Sequence, residues 1–208
     1  MTIKNKIAEL EAFMDEQYPN VGCELKYNKD YELVIAVMLS AQTTDMSVNK
    51  VTPILFNRYK DLKSLSQAKL EDVEDIIHSI GLYKNKAKNV ITIAKCLVED
   101  FDGKVPSDKL TLQKMPGVGN KTAGVIRAEI FKIPDLPVDT HILRISKRLK
   151  LVDSGADAYE TEMRLKSLIK EENWIKTHHQ LIHFGRDICL ARNPQCEKCK
   201  LGAFCTKK

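Results

Sequence analysis

The 208-residue sequence predicts an all-α protein that folds as two helical lobes. Residues 70–80 carry apolar side chains at positions 70, 73, 76, 77 and 80, the spacing of an amphipathic helix. No segment combines period-two alternation with a hairpin turn, so we expect no β-sheet. The composition changes at F-K-I-P-D-L-P, residues 131–137, which we interpret as the linker between the lobes.

The predicted helices follow one another with short breaks. The N-terminal segment is amphipathic, and residues 31–41 are apolar on almost every side, as expected for a helix buried in a core. Asp45 is expected to cap the next helix, with Pro53 kinking that helix or shifting its start. Ser107 is expected to cap a short helix. The remaining helices are predicted at 70–80, 83–101, 120–131, 140–150, 157–171 and 174–185.

A helix, glycine turn, helix pattern occurs twice. S-I-G-L-Y-K-N-K-A-K-N-V and M-P-G-V-G-N-K-T-A-G-V-I align Gly81 with Gly117 and Ala87 with Ala123. Two copies are too few for a solenoid, but they predict paired helical hairpins.

The net charge of +5 is unevenly distributed along the chain. Residues 104–150 contain ten basic and four acidic side chains, whereas residues 1–103 have a net charge of −3. This excess fits either a nucleic-acid footprint or a solvated basic face. No apolar run approaches the ~20 residues of a membrane helix, and the N-terminus lacks the core of a signal peptide. We therefore expect a cytoplasmic protein with no membrane partner.

The glycine turn in L-Q-K-M-P-G-V-G-N-K-T-A-G-V-I, residues 112–126, has two interpretations. Gly117 and Gly119 lie just before a helix start, where unpaired N–H groups and the helix dipole favour a phosphate. The same glycines would also allow two helices to cross closely. Lys121 begins the second helix, where the dipole disfavours an ammonium group, so it is either a reactive amine or a phosphate contact.

Four of the six cysteines lie in the last twenty residues, with the spacing C-x6-C-x2-C-x5-C. These are Cys189, Cys196, Cys199 and Cys205. Four thiolates suit either zinc or an iron–sulfur cluster, and the spacing alone leaves that choice open. Cys23 and Cys96 are isolated, and we expect both to be small buried side chains.

Taken together, these motifs resemble the endonuclease III family of base-excision DNA glycosylases. The resemblance rests on M-P-G-V-G-N-K-T-A, on P-V-D-T-H-I-L-R-I-S-K-R-L, on L-S-A-Q-T-T-D-M-S-V-N-K and on the cysteine spacing. It implies a central domain at 23–134, with a helix-hairpin-helix at about 107–131. Residues 1–22 and 135–208 would form the second domain, with a [4Fe-4S] loop at 189–205 and a DNA cleft between the two domains.

The resemblance also implies roles for single residues. Lys121 would attack C1′ of a damaged nucleotide, and Asp139 would stabilise the sugar or deprotonate Lys121. The remaining positions would contact DNA: Gln42, Leu82, Gly117, Gly119 and His141. From the residues alone, Asp139 is an N-cap, Gln42 a polar helix end, Leu82 a core contact and His141 a polar residue of the first turn.

The implied function is removal of oxidised pyrimidines from duplex DNA, followed by β-elimination 3′ to the abasic site. The expected partner is damaged double-stranded DNA, bound by a monomer that is nucleoid-associated if the source is a prokaryote. A monofunctional mismatch or alkylated-base glycosylase and a non-enzymatic DNA-binding module are the alternatives. Asn120 and Gly124 depart from the family pattern, which bears on the range of lesions rather than on the reaction.

Overall fold

The computed structural model describes residues 1–207, which are helices joined by turns, without a β-strand in that range. The all-α prediction is therefore confirmed. The chain divides into two compact units. The central unit is Glu24–Lys132, and the terminal unit combines Met1–Cys23 with Ile133–Lys208. Within the described range, no helix is long and apolar enough to cross a bilayer.

Eleven α-helices are found in residues 1–207, together with three short 3-10 turns near the C-terminus. In chain order the helices are α1 Ile3–Gln17, α2 Asp30–Leu39, α3 Asp45–Arg58, α4 Leu62–Ser66, α5 Leu70–Ile77, α6 Tyr83–Phe101, α7 Lys109–Gln113, α8 Asn120–Phe131, α9 Thr140–Arg148, α10 Ala158–Leu168 and α11 Trp174–Asp187. The 3-10 turns are Glu171–Asn173, Cys196–Lys198 and Lys200–Phe204.

In the central unit, α2 is the innermost helix. Every residue from Tyr31 to Leu39 is buried, as its continuous apolar sequence predicts. It packs against α3, α6 and α8, so the helix that follows the glycine turn rests directly on the core. The short helix α4 is absent from the sequence-based prediction, although a capping box between Asp61 and Ser64 fixes its start.

Two predicted helix caps are wrong by one residue. Thr44, not Asp45, caps α3, because the Thr44 backbone is extended and its hydroxyl accepts the N–H of Ser47 at 3.2 Å. Asp108, not Ser107, caps α7 by accepting the N–H of Thr111 at 2.7 Å. The helix α3 continues through Pro53, which lies inside it.

The terminal unit has its own apolar core, formed by α1, α9 and α11. Phe13 and Phe184 meet edge to face at the centre, with ring centroids 5.7 Å apart. The helix α10 packs against α9. The core extends into the cysteine loop, because Leu201 and Phe204 are buried in the same cluster. The N-terminal helix therefore stabilises the segment that carries the four cysteines.

Candidate active site

Gly117 is required by packing inside the central unit. Its φ of +78° lies in the left-handed region, and a Cβ at this position would lie 2.8 Å from Asn89 Nδ2 and 2.9 Å from Met38 Cγ. Glycine therefore allows the turn to sit close to α2 and α6, as the helix-crossing interpretation requires.

Gly119 has a different environment. Its φ of −87° suits any residue, and within the described chain no atom lies within 4 Å of a Cβ built there. It is the N-cap of α8, and as a glycine it supplies no side-chain capping bond to the first N–H groups of the helix. The missing side chain therefore leaves open space in front of backbone N–H groups, which is the geometry of an anion site.

Lys121 is the second residue of α8, and its side chain is exposed. The first turn of this helix contains no acidic residue in the described structure. An exposed amine two residues beyond an open helix start can reach a group bound at that start. Gly124 is buried in the same helix, which places this departure from the family pattern against the core.

Gln42 and Leu82 lie on neighbouring turns of the central unit. A Cβ built on Gly81 would lie 4.0 Å from the backbone oxygen of Gln42. Both residues have left-handed backbones, with φ of 56° and 60°, and both are exposed. Leu82 is 59% exposed, so the core-contact interpretation is wrong. Strained non-glycine residues that point into solvent are typical of functional turns.

Asp139 caps α9 in the terminal unit. Its Oδ1 accepts the backbone N–H groups of His141 and Ile142, both at 2.9 Å. These two bonds hold the half-buried carboxylate in one orientation. The N-cap interpretation is therefore confirmed, and it is compatible with a chemical role for the same carboxylate.

The His141 ring packs against α11 and is half-buried. A Cβ on Gly185 would lie only 2.8 Å from the His141 Cβ, so this glycine makes room for the imidazole. Burial lowers the pKa of His141, and the neighbouring charges of Arg144 and Arg186 add to that effect against the opposing influence of Asp139. The lowered pKa favours the neutral form of the ring.

A buried ion cluster anchors the segment that leads to Asp139. Lys166 donates to Asp135 and to Glu162, the latter at 2.6 Å, and its amine lies 5.2 Å from the centre of the Trp174 ring. Asp135 is only 2% exposed. Burial by itself would lower the pKa of Lys166, but its bonds to the two carboxylates raise it overall. The cluster therefore ties residue 135 to α10.

Residues 35–171 match the family model described as the HhH-GPD superfamily base excision DNA repair protein. The chain is 44% identical to endonuclease III of Bacillus subtilis (strain 168) over 190 residues, which cover 91% of this chain and 87% of that protein.

Solved structures agree with this match. The structure of a non-covalent endonuclease III–DNA complex matches with a TM-score of 0.95 and 42% identity, covering 99% of this chain and 96% of that one. The structure of a trapped endonuclease III–DNA covalent intermediate, an estranged-adenine complex, matches with a TM-score of 0.94 and 42% identity. This match covers 99% of this chain and 97% of that one. The chain belongs to the endonuclease III family. The resemblance inferred from the motifs is thereby confirmed.

In this member of the endonuclease III family, all four terminal cysteines line one small cavity, walled also by Phe184. Burial raises the pKa of Cys199, and the electrostatic influence of the other three cysteines raises it further. Residues 1–207 nevertheless contain no group of three or more Cys, His, Asp or Glu side chains placed to hold a single metal ion.

Two arginines of α9 bind the start of the cysteine loop, and sequence reasoning missed both. Arg144 donates to the carbonyls of Gly185 and Cys189 at 2.8 and 2.9 Å. Arg148 donates to Cys189 Sγ at 3.3 Å and to the carbonyl of Leu190 at 2.6 Å. Their i, i+4 spacing places them on one face of α9, the one sequence signal that could have indicated a shared partner.

The cysteine loop also carries basic side chains. Arg192 and Lys198 are exposed, as expected for residues that could meet a phosphate. Lys200, in the same loop, is bound to both carboxylate oxygens of Glu16 on α1, at 2.5 and 2.6 Å. Its amine therefore helps to dock the loop on α1.

Proposed function

We propose that this protein removes oxidised pyrimidines from duplex DNA and then cleaves the strand at the abasic site. The observation that carries the proposal is the open start of α8, where Gly119 leaves space for a phosphate and the exposed Lys121 follows within two residues. Support comes from the family membership, and from the similarity to an endonuclease III that was trapped covalently on DNA.

The proposed chemistry uses Lys121 as the nucleophile. Its neutral amine attacks C1′, the bond from C1′ to the base breaks, and the base leaves with a proton. The nitrogen then loses a proton, the C1′–O4′ bond of the sugar ring breaks with O4′ taking a proton, and C1′ and the amine nitrogen are left as an imine. Loss of a proton from C2′ allows the C3′–O bond to break, which releases the 5′-phosphate end of the downstream strand. Hydrolysis of the imine returns Lys121.

Asp139 would act on the same nucleotide as a fixed carboxylate. Because two backbone N–H groups hold its Oδ1, little reorganisation is needed when positive charge develops on the sugar. The same carboxylate could take the proton from Lys121. Lys121 belongs to the central unit and Asp139 to the terminal unit, so the proposal assigns one catalytic group to each.

The damaged nucleotide must leave the DNA duplex before C1′ can be attacked. We propose that Gln42 and Leu82 fill the space it leaves, because both are exposed on adjacent strained turns. Gly117 and Gly119 would hold the phosphate backbone. His141, which packs on α11, would lie at the edge of the DNA contact. The bound species would be one protein molecule on damaged double-stranded DNA.

We further propose a [4Fe-4S] cluster on Cys189, Cys196, Cys199 and Cys205. The four thiols line one cavity, and the guanidinium of Arg148 lies beside the first of them. Four cysteine thiolates are the ligand set of such a cluster, so these four side chains would hold it. When bound, the cluster would cross-link a loop that otherwise has little regular structure.

Borohydride trapping tests the reaction. The protein is incubated with duplex DNA that contains thymine glycol or a preformed abasic site, and borohydride then reduces any imine to a stable adduct. Wild type should form the adduct with both substrates. Lys121→Ala should form none, and Lys121→Arg should also form none, since a guanidinium is not a nucleophile at neutral pH.

Three outcomes would change the assignment. Release of the base without an adduct would make the protein a monofunctional glycosylase. Binding of DNA with neither base release nor an adduct would leave only a DNA-binding module. An adduct that persists in Lys121→Ala would show that another amine is the nucleophile.

A further inference from the structure

Lys86 is a lysine buried in the central unit, outside the proposed catalytic set. It lies in the first turn of α6 and is 4% exposed. Its Nζ donates to the hydroxyl of Thr43 at 2.8 Å. Burial lowers the pKa of this amine, so the protein holds a charge there against a desolvation cost.

The position of Lys86 gives helix stability little benefit. An ammonium group near a helix N-terminus opposes the helix dipole, and an apolar side chain of similar length would avoid the cost of burying a charge. Its neighbour Thr43 is a neutral hydroxyl, which offsets that cost less than a carboxylate would. What the lysine does provide is a directed hydrogen bond between two chain segments.

Those two segments carry the residues proposed to fill the DNA gap. Thr43 follows Gln42 directly in the turn between α2 and α3, and its N–H donates to the carbonyl of Ser40 at 3.0 Å. Lys86 lies one helical turn after Leu82, and its N–H donates to the Leu82 carbonyl at 3.0 Å. One side chain therefore ties the Gln42 turn to the Leu82 turn.

The hydrogen bond between Lys86 and Thr43 stabilises two turns whose backbones are strained. Gln42 and Leu82 are both in the left-handed region, which costs a non-glycine residue on the order of 1 kcal/mol and favours relaxation of an exposed turn. If either turn relaxed, the two side chains would lose their spacing. A brace between the turns holds that spacing before DNA arrives.

We propose that Lys86 is a positioning residue, which braces the Gln42 and Leu82 turns through Thr43 so that both side chains enter the DNA gap together. This inference rests on the proposed function, because it concerns residues assigned there to gap filling. It predicts that Lys86 matters for extruding a base-paired lesion, and not for the chemistry at C1′.

The test uses two substrates that differ in their need for extrusion. One is duplex DNA with a thymine glycol, and the other is a single strand with a preformed abasic site, which needs no gap filling. Lys86→Met removes the bond and keeps the length of the side chain. The matched control is Lys95→Met, which removes an exposed charge from the same helix, about 13 Å farther along it.

Relative to Lys95→Met, we expect Lys86→Met to lower kcat/KM on the duplex by about fivefold, as for loss of one hydrogen bond of about 1 kcal/mol. Trapping on the single strand should stay within about twofold. Thr43→Val should reproduce this pattern, and the double variant should be no worse than either single one. In a Gln42→Ala background the effect of Lys86→Met should largely disappear.

Equal duplex activity of Lys86→Met and Lys95→Met would overturn the inference. So would an equal loss on both substrates, which would show a general structural role. If Lys86→Met fails to fold, Thr43→Val decides in the same way, because it removes the bond without touching the lysine. A wild-type protein that traps neither substrate would overturn the proposed function itself, which distinguishes that failure from a failure of the brace.

Discussion

The two units each contain a buried lysine, and the two lysines are held in opposite ways. In the central unit, Lys86 donates to a neutral threonine hydroxyl and its pKa is lowered by burial. In the terminal unit, Lys166 is bound by Asp135 and Glu162, and its pKa is raised despite burial. Burying the Lys86 charge costs free energy, but its hydrogen bond fixes the position of a neighbouring turn. Lys166 instead forms a charge cluster that holds the segment around Asp135 in place.

The contrast extends to the residues that each unit presents. The central unit presents Gln42 and Leu82, which are exposed and strained and depend on the surrounding backbone. The terminal unit presents Asp139, which is half-buried and fixed by two hydrogen bonds. The residues proposed to enter DNA are thus connected by one hydrogen bond between their turns, whereas the Asp139 carboxylate is held directly by two hydrogen bonds.

The largest effect on stability is expected in the terminal unit. Lys166→Met removes one buried ammonium group that binds two buried carboxylates, which should lower the free energy of unfolding by about 3 kcal/mol. The control is Lys176→Met, which breaks the more exposed pair with Asp15 and should cost less than about 1 kcal/mol. Urea unfolding of both variants provides the measurement, and equal losses would show that the buried cluster is no stronger than a surface pair.

The two hairpin glycines should separate stability from DNA binding. Gly117→Ala forces a left-handed alanine against Asn89 and Met38, and should cost about 2 kcal/mol of unfolding free energy. Gly119→Ala meets no atom and adopts an ordinary backbone, so its stability should change by less than about 0.5 kcal/mol.

Gly119→Ala should nevertheless weaken DNA binding, by on the order of tenfold, because its methyl group would occupy the space proposed for a phosphate. Thermal unfolding and fluorescence anisotropy on the same two preparations test both halves of this prediction. If Gly119→Ala binds DNA as tightly as wild type, no phosphate is bound at the open helix start.

Alkaline pH should distinguish the two lysines. Because the pKa of Lys86 is lowered in the folded state, its contribution to stability rises with pH up to its ordinary value of 10.5. Because the pKa of Lys166 is raised, its contribution is constant below 10.5 and is lost as pH rises beyond that value. Unfolding of wild type, Lys86→Met and Lys166→Met across this range should give difference curves of opposite slope.

Only a small effect on stability is expected for Lys86→Met at neutral pH. Replacing an ammonium that has a neutral partner by a thioether of similar length removes a hydrogen bond and a desolvation cost together. The free energy of unfolding should therefore change by less than about 1 kcal/mol. A loss as large as that of Lys166→Met would show that both lysines are structural, and the contrast between the units would be lost.

Local signals in the sequence predicted most of the fold. The periodicity of 70–80 and the unbroken apolar run of α2 are properties of single segments, so they can be read without the structure. The caps of α3 and α7 were wrong by one residue, because two neighbouring polar side chains can both cap and the backbone decides between them. The very short α4 carries too few residues for a periodic signal.

The candidate site was predicted only where its residues lie in contiguous motifs. Gly119 and Lys121 belong to one such motif, and the four cysteines to another. The bond from Lys86 to Thr43 spans 43 residues, and the bond from Lys166 to Asp135 spans 31. Such pairs arise from the packing of helices that are distant in the sequence. No local sequence pattern therefore indicates them.

The central claim is that the amine of Lys121 attacks the sugar, and peptide mapping of the trapped adduct tests it most directly. Wild type is reduced with borohydride on abasic DNA, digested with nuclease and protease, and analysed by mass spectrometry. The account predicts that the sugar remnant lies on the peptide containing Lys121. A remnant on Lys114, on another lysine or on the N-terminal amine would contradict it.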